Sequence, residues 1–174
     1  MAVTSGVPSD RLASASHAED TLEVVVFKLD EARGALPVRQ VVGLLRMVAS
    51  VSLPGAPRSI EGLVNYHGEI LPVLDVRTRL GGKPTPARPS QALVVARREG
   101  RKCAFRVDSV EGLRQLSAAA IQDADRMSPI AGSITGAVAL EDGLLLIHDV
   151  ERFLSAAEAE EMERFLASVP GDIV

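Results

Sequence analysis

Short apolar runs, most of them closed by a glycine or a proline, restrict how this chain of 174 residues can fold. Residues 22–29 are rich in β-branched side chains, and residues 92–96 are apolar throughout. Both runs have the length of strands, because helices usually extend over roughly ten residues or more. Glu141-Asp142-Gly143, which separates two further runs, is a hairpin signal. The pattern predicts an all-β protein, a sandwich or barrel of many short strands.

One stretch near the C-terminal end has the periodicity of an amphipathic helix. Ser155 and Glu158 have capping-box spacing, in which each side chain bonds the backbone of the other residue. The apolar residues that share one face of this helix are Met162, Phe165 and Leu166. The sequence therefore predicts a C-terminal α-helix over residues 155–166 as the only substantial helix.

The ends and the middle of the chain suggest its domain boundaries. Residues 1–20 are rich in Ser, Ala, Gly and Asp without apolar periodicity, which predicts a disordered segment. Residues 21–168 are expected to form the folded domain, and residues 169–174 a tail. Prolines in residues 82–90 predict a surface loop or a joint between subdomains. We find no tandem repeat with a period of roughly 20 to 50 residues.

Residues 101–107 alternate in polarity and contain the single cysteine of the chain. Cys103, Phe105 and Val107 fall on one face of a strand, which predicts a buried face with Cys103 as a core thiol. The opposite face, predicted to be exposed to water, carries Lys102, Ala104 and Arg106. The cations interpreted as the solvated tip of a hairpin are Arg97, Arg98, Arg101 and Lys102.

Composition excludes several classes of function. The net charge is −4 and the pI is near 5.4, so the chain lacks the general basic character of a nucleic-acid binder. A small-barrel nucleic-acid binder would also need stacking aromatics, but aromatic residues make up only 3%. The N-terminal residues do not resemble a signal peptide, and no apolar run has the length of a membrane helix. We therefore expect a cytoplasmic protein without direct membrane insertion.

The residues that support catalysis or metal binding are few and scattered. The three histidines are His17, His67 and His148, and none forms a ligand pair with the single thiol or with another histidine. No nucleophile elbow of the G-x-S-x-G type occurs. The apolar residues before His148 favour a core or strand-end histidine over a catalytic one. We predict no enzymatic activity, no metal and no cofactor.

An ordered string of motifs lies between Leu53 and Gly81. A proline-containing turn leads to Ile60-Glu61-Gly62-Leu63-Val64-Asn65-Tyr66-His67-Gly68, which is followed by Leu71-Pro72-Val73-Leu74-Asp75-Val76-Arg77. This string resembles the signature of CheW-like domains, where I-x-G-hydrophobic-hydrophobic-N-x-R-G precedes a hydrophobic-P-hydrophobic-hydrophobic-D run. Residues 25–29, 35–38 and 105–110 are similar to flanking strands of that family.

The resemblance implies both a fold and a function. The fold is two intertwined five-stranded barrels with a shared hydrophobic core and the C-terminal α-helix. The function is that of a non-enzymatic adaptor in chemotaxis signal transduction, which couples the cytoplasmic tip of a chemoreceptor to the regulatory domain of the histidine kinase CheA in arrays. The alternative is a specialised CheW-like protein that binds a dedicated receptor and does not bind the kinase.

The resemblance also implies where partners bind. A groove between the barrels is expected to take the helical receptor tip. Its residues are Val41, Gly43, Leu44, Gly62, Val64, Asn65, His67 and Gly68. Core packing is an equal alternative for Val41 and Leu44, and a turn with positive φ for Gly62 and Gly68. Ile121 and Met127 are expected to bind the kinase, with Met127 as an adaptable apolar anchor.

Two positions depart from the family pattern. CheW-like proteins commonly carry an acidic residue in the segment matching residues 41–44 and an arginine at the position of His67, and the two charges can pair. Here the matching residues are Gly43 and His67, so both charges are absent together. Losing both avoids leaving one charge without a partner. We expect a dedicated receptor specificity, because imidazole replaces a permanent guanidinium charge.

Overall fold

The chain forms two β-sheets in a computed structural model, which describes residues 20–124 and 132–170. The strands of these residues are β1 (Thr21–Leu29), β2 (Ala32–Pro37), β3 (Val41–Arg46), β4 (Ile60–Tyr66), β5 (Glu69–Leu74), β6 (Ala92–Arg98), β7 (Arg101–Val107), β8 (Ser109–Ser117), β9 (Gln122–Asp123), β10 (Ile134–Leu140) and β11 (Gly143–His148). The helices are α1 (Val76–Arg79) and α2 (Ala156–Ser168). Among the described residues, no helix is both long and apolar enough to cross a membrane.

The first sheet has the strand order β8-β1-β2-β11-β10-β9. Its pairs are antiparallel except β2 and β11, which run parallel with Gly34 beside Leu146. The two edge strands, β8 and β9, follow each other in the chain across a single 3₁₀ turn, Ala118–Ala120. One interrupted strand therefore borders both edges, and the sheet closes into a five-stranded barrel, named barrel A here.

The second sheet has the order β3-β6-β7-β5-β4, again with one parallel pair, between β5 and β7. Val51 continues the path of β3 and makes an antiparallel bridge to Leu63 in β4. The strand containing β3 thus borders both edges of this sheet as well. This barrel, barrel B, confirms the prediction of an all-β fold with two five-stranded barrels.

The two barrels share one hydrophobic core and each also has its own. The interior of barrel A contains Val24, Val26 and Ile147, while that of barrel B contains Val64, Val73 and Val95. A larger cluster lies between the barrels and includes Phe27, Leu36, Phe105, Phe153 and Met162. With few aromatic residues available, the shared core places its three phenylalanines in contact, with Phe105 ring centroids 5.7 Å from Phe27 and 5.2 Å from Phe153.

The chain is an internal repeat whose two halves exchange strands. When β8 and β9 are counted as one interrupted strand, the half containing β1–β5 has the same order of strands as the half from β6 to β11. Gly43 and Gly112 each follow an irregularity in register, as do Gly62 and Gly136. Each half is longer than the roughly 20 to 50 residues of an ordinary tandem repeat. Each barrel takes strands from both halves, which is the physical basis of the predicted intertwining.

Helix α2 has the predicted capping box and closes the shared core. The Ser155 side chain accepts a hydrogen bond from Glu158 N–H at 3.3 Å, and Glu158 Oε2 accepts one from Ser155 N–H at 2.8 Å. Met162 is buried in the shared core. The prediction of one substantial helix at this position is confirmed. The predicted terminal segments, 1–20 and 169–174, lie almost wholly outside the described residues.

The predicted water-exposed face of β7 is wrong for two residues. Ala104 is buried inside barrel B, and Arg106 is only 5% exposed because the proline-containing loop folds over it. The predicted solvated hairpin tip is also wrong for Arg98, which is buried and donates to the Glu151 carbonyl at 3.4 Å. Tertiary contacts in both cases cover a residue that alternation alone places in water.

Candidate functional site

A cleft of about 520 Å³ opens along the seam between the two barrels. One wall comes from β3 and β6 of barrel B, and the other from Ser109 and Val110 at the start of β8 in barrel A. The lining residues are Leu44, Leu45, Arg46, Pro89, Ser90, Gln91, Ala92, Ser109 and Val110. Of the residues predicted for a receptor groove, Leu44 is the one that lines this cleft.

Strand β3 presents Leu44 because its register shifts just before that residue. Val41 pairs with Ala96, but Gly43 pairs with Val95, so one residue of β3 is bulged. The bulge leaves Leu44 49% exposed, whereas Val41 is half-buried against the shared core. Of the two residues for which the sequence left core packing open, Val41 packs with the core, and Leu44 is exposed in the cleft wall.

Gly43 lies directly under the side chain of Tyr66. A Cβ atom added at Gly43 would be 2.5 Å from the Tyr66 hydroxyl oxygen, so any larger residue must displace the phenol. The Tyr66 ring also contacts the His67 ring, with centroids 4.5 Å apart, and Lys102 Nζ lies 5.8 Å from its centroid. Tyr66 thus fills the space of the side chain that is missing at position 43.

His67 and Gly68 form the tight two-residue turn between β4 and β5. His67 has a φ of 53° and Gly68 a φ of 86°, which is the left-handed pair of a type I′ hairpin. The side-chain oxygen of Asn65 accepts a hydrogen bond from Gly68 N–H at 2.7 Å. Asn65 and Gly68 therefore shape the turn, and His67 is presented at its exposed tip.

Two predicted groove residues are wrong as exposed contacts. Val64 is 3% exposed because its side chain belongs to the interior of barrel B. Gly62 is buried, and a Cβ there would lie 3.0 Å from Ser50 Cβ and 3.1 Å from the Val51 carbonyl oxygen. Gly62 permits the close crossing that closes barrel B, and a positive φ is not the reason for glycine at this position.

A polar network lies beneath the cleft and joins the two barrels. Arg77, only 5% exposed in its side chain, pairs with Asp30 and, at 2.7 Å, with Asp108. Asp108 also accepts bonds from Gln91 Nε2 at 2.8 Å and from Asp30 N–H at 2.7 Å. Burial by itself would raise the pKa of Asp108, but these hydrogen bonds and the Arg77 charge hold the pKa below its usual value.

Gln91 connects this network to the loop beside the cleft. Its Oε1 accepts from Arg106 Nη1 at 2.8 Å and from Arg88 N–H at 2.9 Å. Arg106 also pairs with Glu61 and donates to the Thr85 carbonyl at 2.7 Å. The loop that borders the cleft is therefore tied to β4 and β7 by charge-assisted hydrogen bonds, which are stronger than neutral ones.

Of the two residues expected to bind the kinase, Ile121 lies between β8 and β9 of barrel A. Ile121 is half-buried against the barrel A interior, and a Cβ added at Gly136 would be 2.8 Å from Ile121 Cγ2. Ile121 therefore contributes packing as well as surface. Met127 lies outside the described residues.

Two titratable side chains, those of His148 and Cys103, are buried inside the fold. His148 is 2% exposed, and its Nδ1 lies 3.0 Å from Ser133 Oγ. Burial lowers the pKa of His148 to about 4 and raises the pKa of Cys103 to about 12. In the part of the chain that the structure describes, no group of His, Cys, Asp and Glu side chains is suited to hold a metal ion.

Sequence reasoning did not identify the contribution of Tyr66, Gln91, Arg106 and Asp108. Tyr66 occupies the variable position of the family signature, so the motif gave it no role. The single signal for Asp108 was its place in the segment resembling a V-D-x-V strand. Gln91 and Arg106 gave no signal, because their contacts join segments separated in the chain.

Comparisons with known proteins agree on one family. The sequence model described as "CheW-like domain" matches residues 23–158. A probable chemotaxis protein CheW of Rhizobium etli is 21% identical over 140 residues, covering 79% of this chain and 90% of that protein. The chemotaxis protein CheW of Thermotoga maritima is 24% identical, with 80% and 91% covered. The protein FrzA of Myxococcus xanthus is 30% identical over 109 residues, with 63% and 68% covered.

A solved structure has the same fold. The scaffolding protein TtCheW from Thermoanaerobacter tengcongensis superposes with a TM-score of 0.71 at 22% sequence identity. The superposition covers 79% of this chain and 94% of that chain.

Proposed function

Because the chain belongs to the CheW-like domain family, we propose that it couples the cytoplasmic tip of a chemoreceptor to a CheA-type histidine kinase. The family is one of chemotaxis scaffolds and adaptors and not of enzymes, so the protein acts by binding. We place it in the cytoplasm, recruited to receptor arrays. The observation that carries the proposal is the cleft between the barrels with Leu44 exposed in its wall.

The cleft suits a helix of a receptor. Its walls supply the exposed Leu44 and the half-buried Leu45 and Val110, and its rim supplies Arg46, Ser90 and Ser109. Apolar positions within a polar rim are what an amphipathic helix needs when it lies in a groove. The network of Arg77, Asp108 and Gln91 beneath holds both walls at a fixed separation, which lowers the entropic cost of binding.

A pair of matched leucines tests the receptor site. Leu113 occupies in β8 the position that Leu44 occupies in β3, one residue after the glycine that follows the register shift, and it is 66% exposed. Leu44→Gln should weaken binding of a soluble receptor-tip fragment about tenfold, as loss of a buried apolar anchor does. Leu113→Gln should leave the affinity unchanged. Equal effects of the two substitutions, measured by isothermal titration, would contradict the assignment.

Binding of the kinase regulatory domain is proposed to depend on Ile121 and Met127. Met127→Ala should weaken binding of the kinase regulatory domain by about 1–2 kcal/mol and leave receptor binding intact. Parallel loss of both affinities with a lower melting temperature would make Met127 a core residue instead. A protein that binds receptor fragments but no CheA-type regulatory domain would support the alternative, a specialised CheW-like protein.

Receptor specificity is proposed to depend on Gly43, Tyr66 and His67. Since Tyr66 fills the space above Gly43, a dedicated receptor meets a phenol and an imidazole where a charged pair is usual in the family. Gly43→Glu with His67→Arg should improve binding to a generic receptor tip by more than the sum of the single changes, with a coupling of about 0.5–3 kcal/mol. Adding Tyr66→Ala should remove the steric cost at position 43. Additive effects would show that the pair does not set specificity.

A further inference from the structure

Helix α2 covers one face of barrel B. Met162 and Leu166, one helical turn apart, face the first residues of β5, where Ile70 and Leu71 are half-buried and buried. The β6–β7 turn borders the same cleft with Arg97, Arg101 and Lys102. Arg101 Nε lies 3.7 Å from Glu163 Oε1 of the helix. An acidic amphipathic helix thus lies against an apolar strand end with a basic rim.

The internal repeat places the same face on barrel A, where residues 20–124 and 132–170 supply no such helix. Strand β11 pairs in parallel with β2 as β5 pairs with β7, which makes Leu144 the counterpart of Ile70 and Leu146 the counterpart of Pro72. Pro72 is buried and Ile70 is half-buried, whereas Leu144 is 51% exposed and Leu146 half-buried. The part of the chain that the structure describes therefore has one long helix, α2, for two equivalent faces.

The rim of the barrel A face has the opposite charge. Arg101, which pairs with the helix in barrel B, corresponds to Ala32, while Gly100 corresponds to Glu31. His67 corresponds to Glu141, next to Asp142. The cations near this rim are engaged by carboxylates: Arg33 contacts Glu111 at 2.7 Å and Asp142 at 3.0 Å, Arg114 lies 3.9 Å from Asp142, and Lys28 lies 3.5 Å from Glu111.

The geometry points to a docking site for a partner helix on barrel A, centred on Leu144 and Leu146. The occupant is a basic amphipathic helix that presents two apolar residues one turn apart, as α2 presents Met162 and Leu166 to barrel B. Its lysines or arginines face Glu31 and Glu141. The residues of this site do not line the cleft at the seam, so the protein gains a binding surface beyond the one proposed for the receptor.

Two synthetic peptides provide the test with the full chain. The first has the sequence of residues 155–169 with Glu158→Lys, Glu160→Lys, Glu161→Lys and Glu163→Lys, and the second has the unaltered acidic sequence. The basic peptide should bind in titrations followed by two-dimensional NMR, with shift changes at Leu144 and Leu146. The acidic peptide should bind at least about tenfold more weakly, because the rim repels it.

Three protein variants separate this site from other surfaces. Leu144→Gln should weaken binding of the basic peptide about tenfold. Leu113→Gln, on an exposed leucine of β8, should change it less than about twofold. Glu31→Gln with Glu141→Gln should weaken binding and reduce its dependence on salt.

Four results would overturn the proposal: no saturable binding at millimolar peptide, equal binding of both peptides, an unaffected Leu144→Gln variant, or shift changes at Ile70 and Met162 in place of Leu144. None of them bears on the receptor or kinase sites, which are measured with different ligands.

Discussion

His148 couples folding stability to pH, and the structure gives the size of the effect. The ring is 2% exposed, lies with its centroid 6.1 Å from those of both Phe27 and Phe153, and contacts Ser133 Oγ at 3.0 Å. Burial lowers the pKa of His148 to about 4, whereas an unfolded histidine has a pKa of about 6.5. As pH falls from about 6.5 to 4, the unfolded chain binds a proton that the folded chain does not. The free energy of unfolding should therefore decrease by about 3 kcal/mol across this window.

The internal repeat suggests a control variant that lacks the titrating histidine. Leu74 is the counterpart of His148 in barrel B, so His148→Leu with Ser133→Ala should keep the packing and leave no hydroxyl without a partner. Urea unfolding at several pH values between 7 and 4.5 measures the free energy of both proteins. The wild-type curve should fall more steeply than that of the double variant, since carboxylate titrations are common to both. Parallel curves between pH 6.5 and 4.5 would refute the argument.

Three further substitutions or reactions test other parts of the structure. Asp108→Asn removes a charged acceptor from the buried Arg77 and should lower the free energy of unfolding by about 2–3 kcal/mol, measured by urea denaturation. Ser155→Ala should cost about 1 kcal/mol of stability, while Ser117→Ala, at a 3₁₀ turn whose serine makes no capping bond, should cost little. Cys103 should not react with a thiol reagent at pH 8 until urea unfolds the protein, because burial raises the pKa of Cys103 to about 12.

Local rules predicted the parts of the fold that depend on neighbouring residues. The predicted hairpin lies at Glu141-Asp142-Gly143, where Glu141 and Asp142 form the turn and Gly143 begins β11, paired with Leu140. The Ser155 and Glu158 spacing gives a capping box, and Cys103 is a core thiol. Each of these features is determined within a few residues of the chain, so composition and spacing were sufficient.

The pairing of strands that are distant in the chain could not be predicted from local patterns. The surroundings of several site residues depend on that pairing. The parallel pairing of β2 with β11 joins the two ends of the chain, and no local pattern indicates it. Arg106 alternates like a solvent-facing residue, but Thr85, Pro86 and Gln91 surround its guanidinium. Val64 has the aliphatic side chain expected of a groove residue, but in the closed barrel this side chain packs in the interior. Of the residues predicted for the groove, Leu44 therefore lines the cleft between the barrels, whereas Val64 is buried.

Strand exchange explains how a small protein keeps the cleft between its two barrels at a fixed width. The chain crosses the seam once between β2 and β3 and once between β7 and β8. Gln40 at the first crossing donates to Asp149 at 2.7 Å and accepts from Val150 N–H at 3.1 Å, and Asp108 at the second pairs with Arg77.

Because each barrel contains strands of both halves, the barrels cannot move apart without breaking strand pairs within each. The width of the cleft is thus set during folding. Preorganisation of this kind saves the ordering cost that a hinged pair of domains would incur on binding. A side-chain change in the wall, such as at Leu44, should consequently alter affinity without altering the separation of the walls.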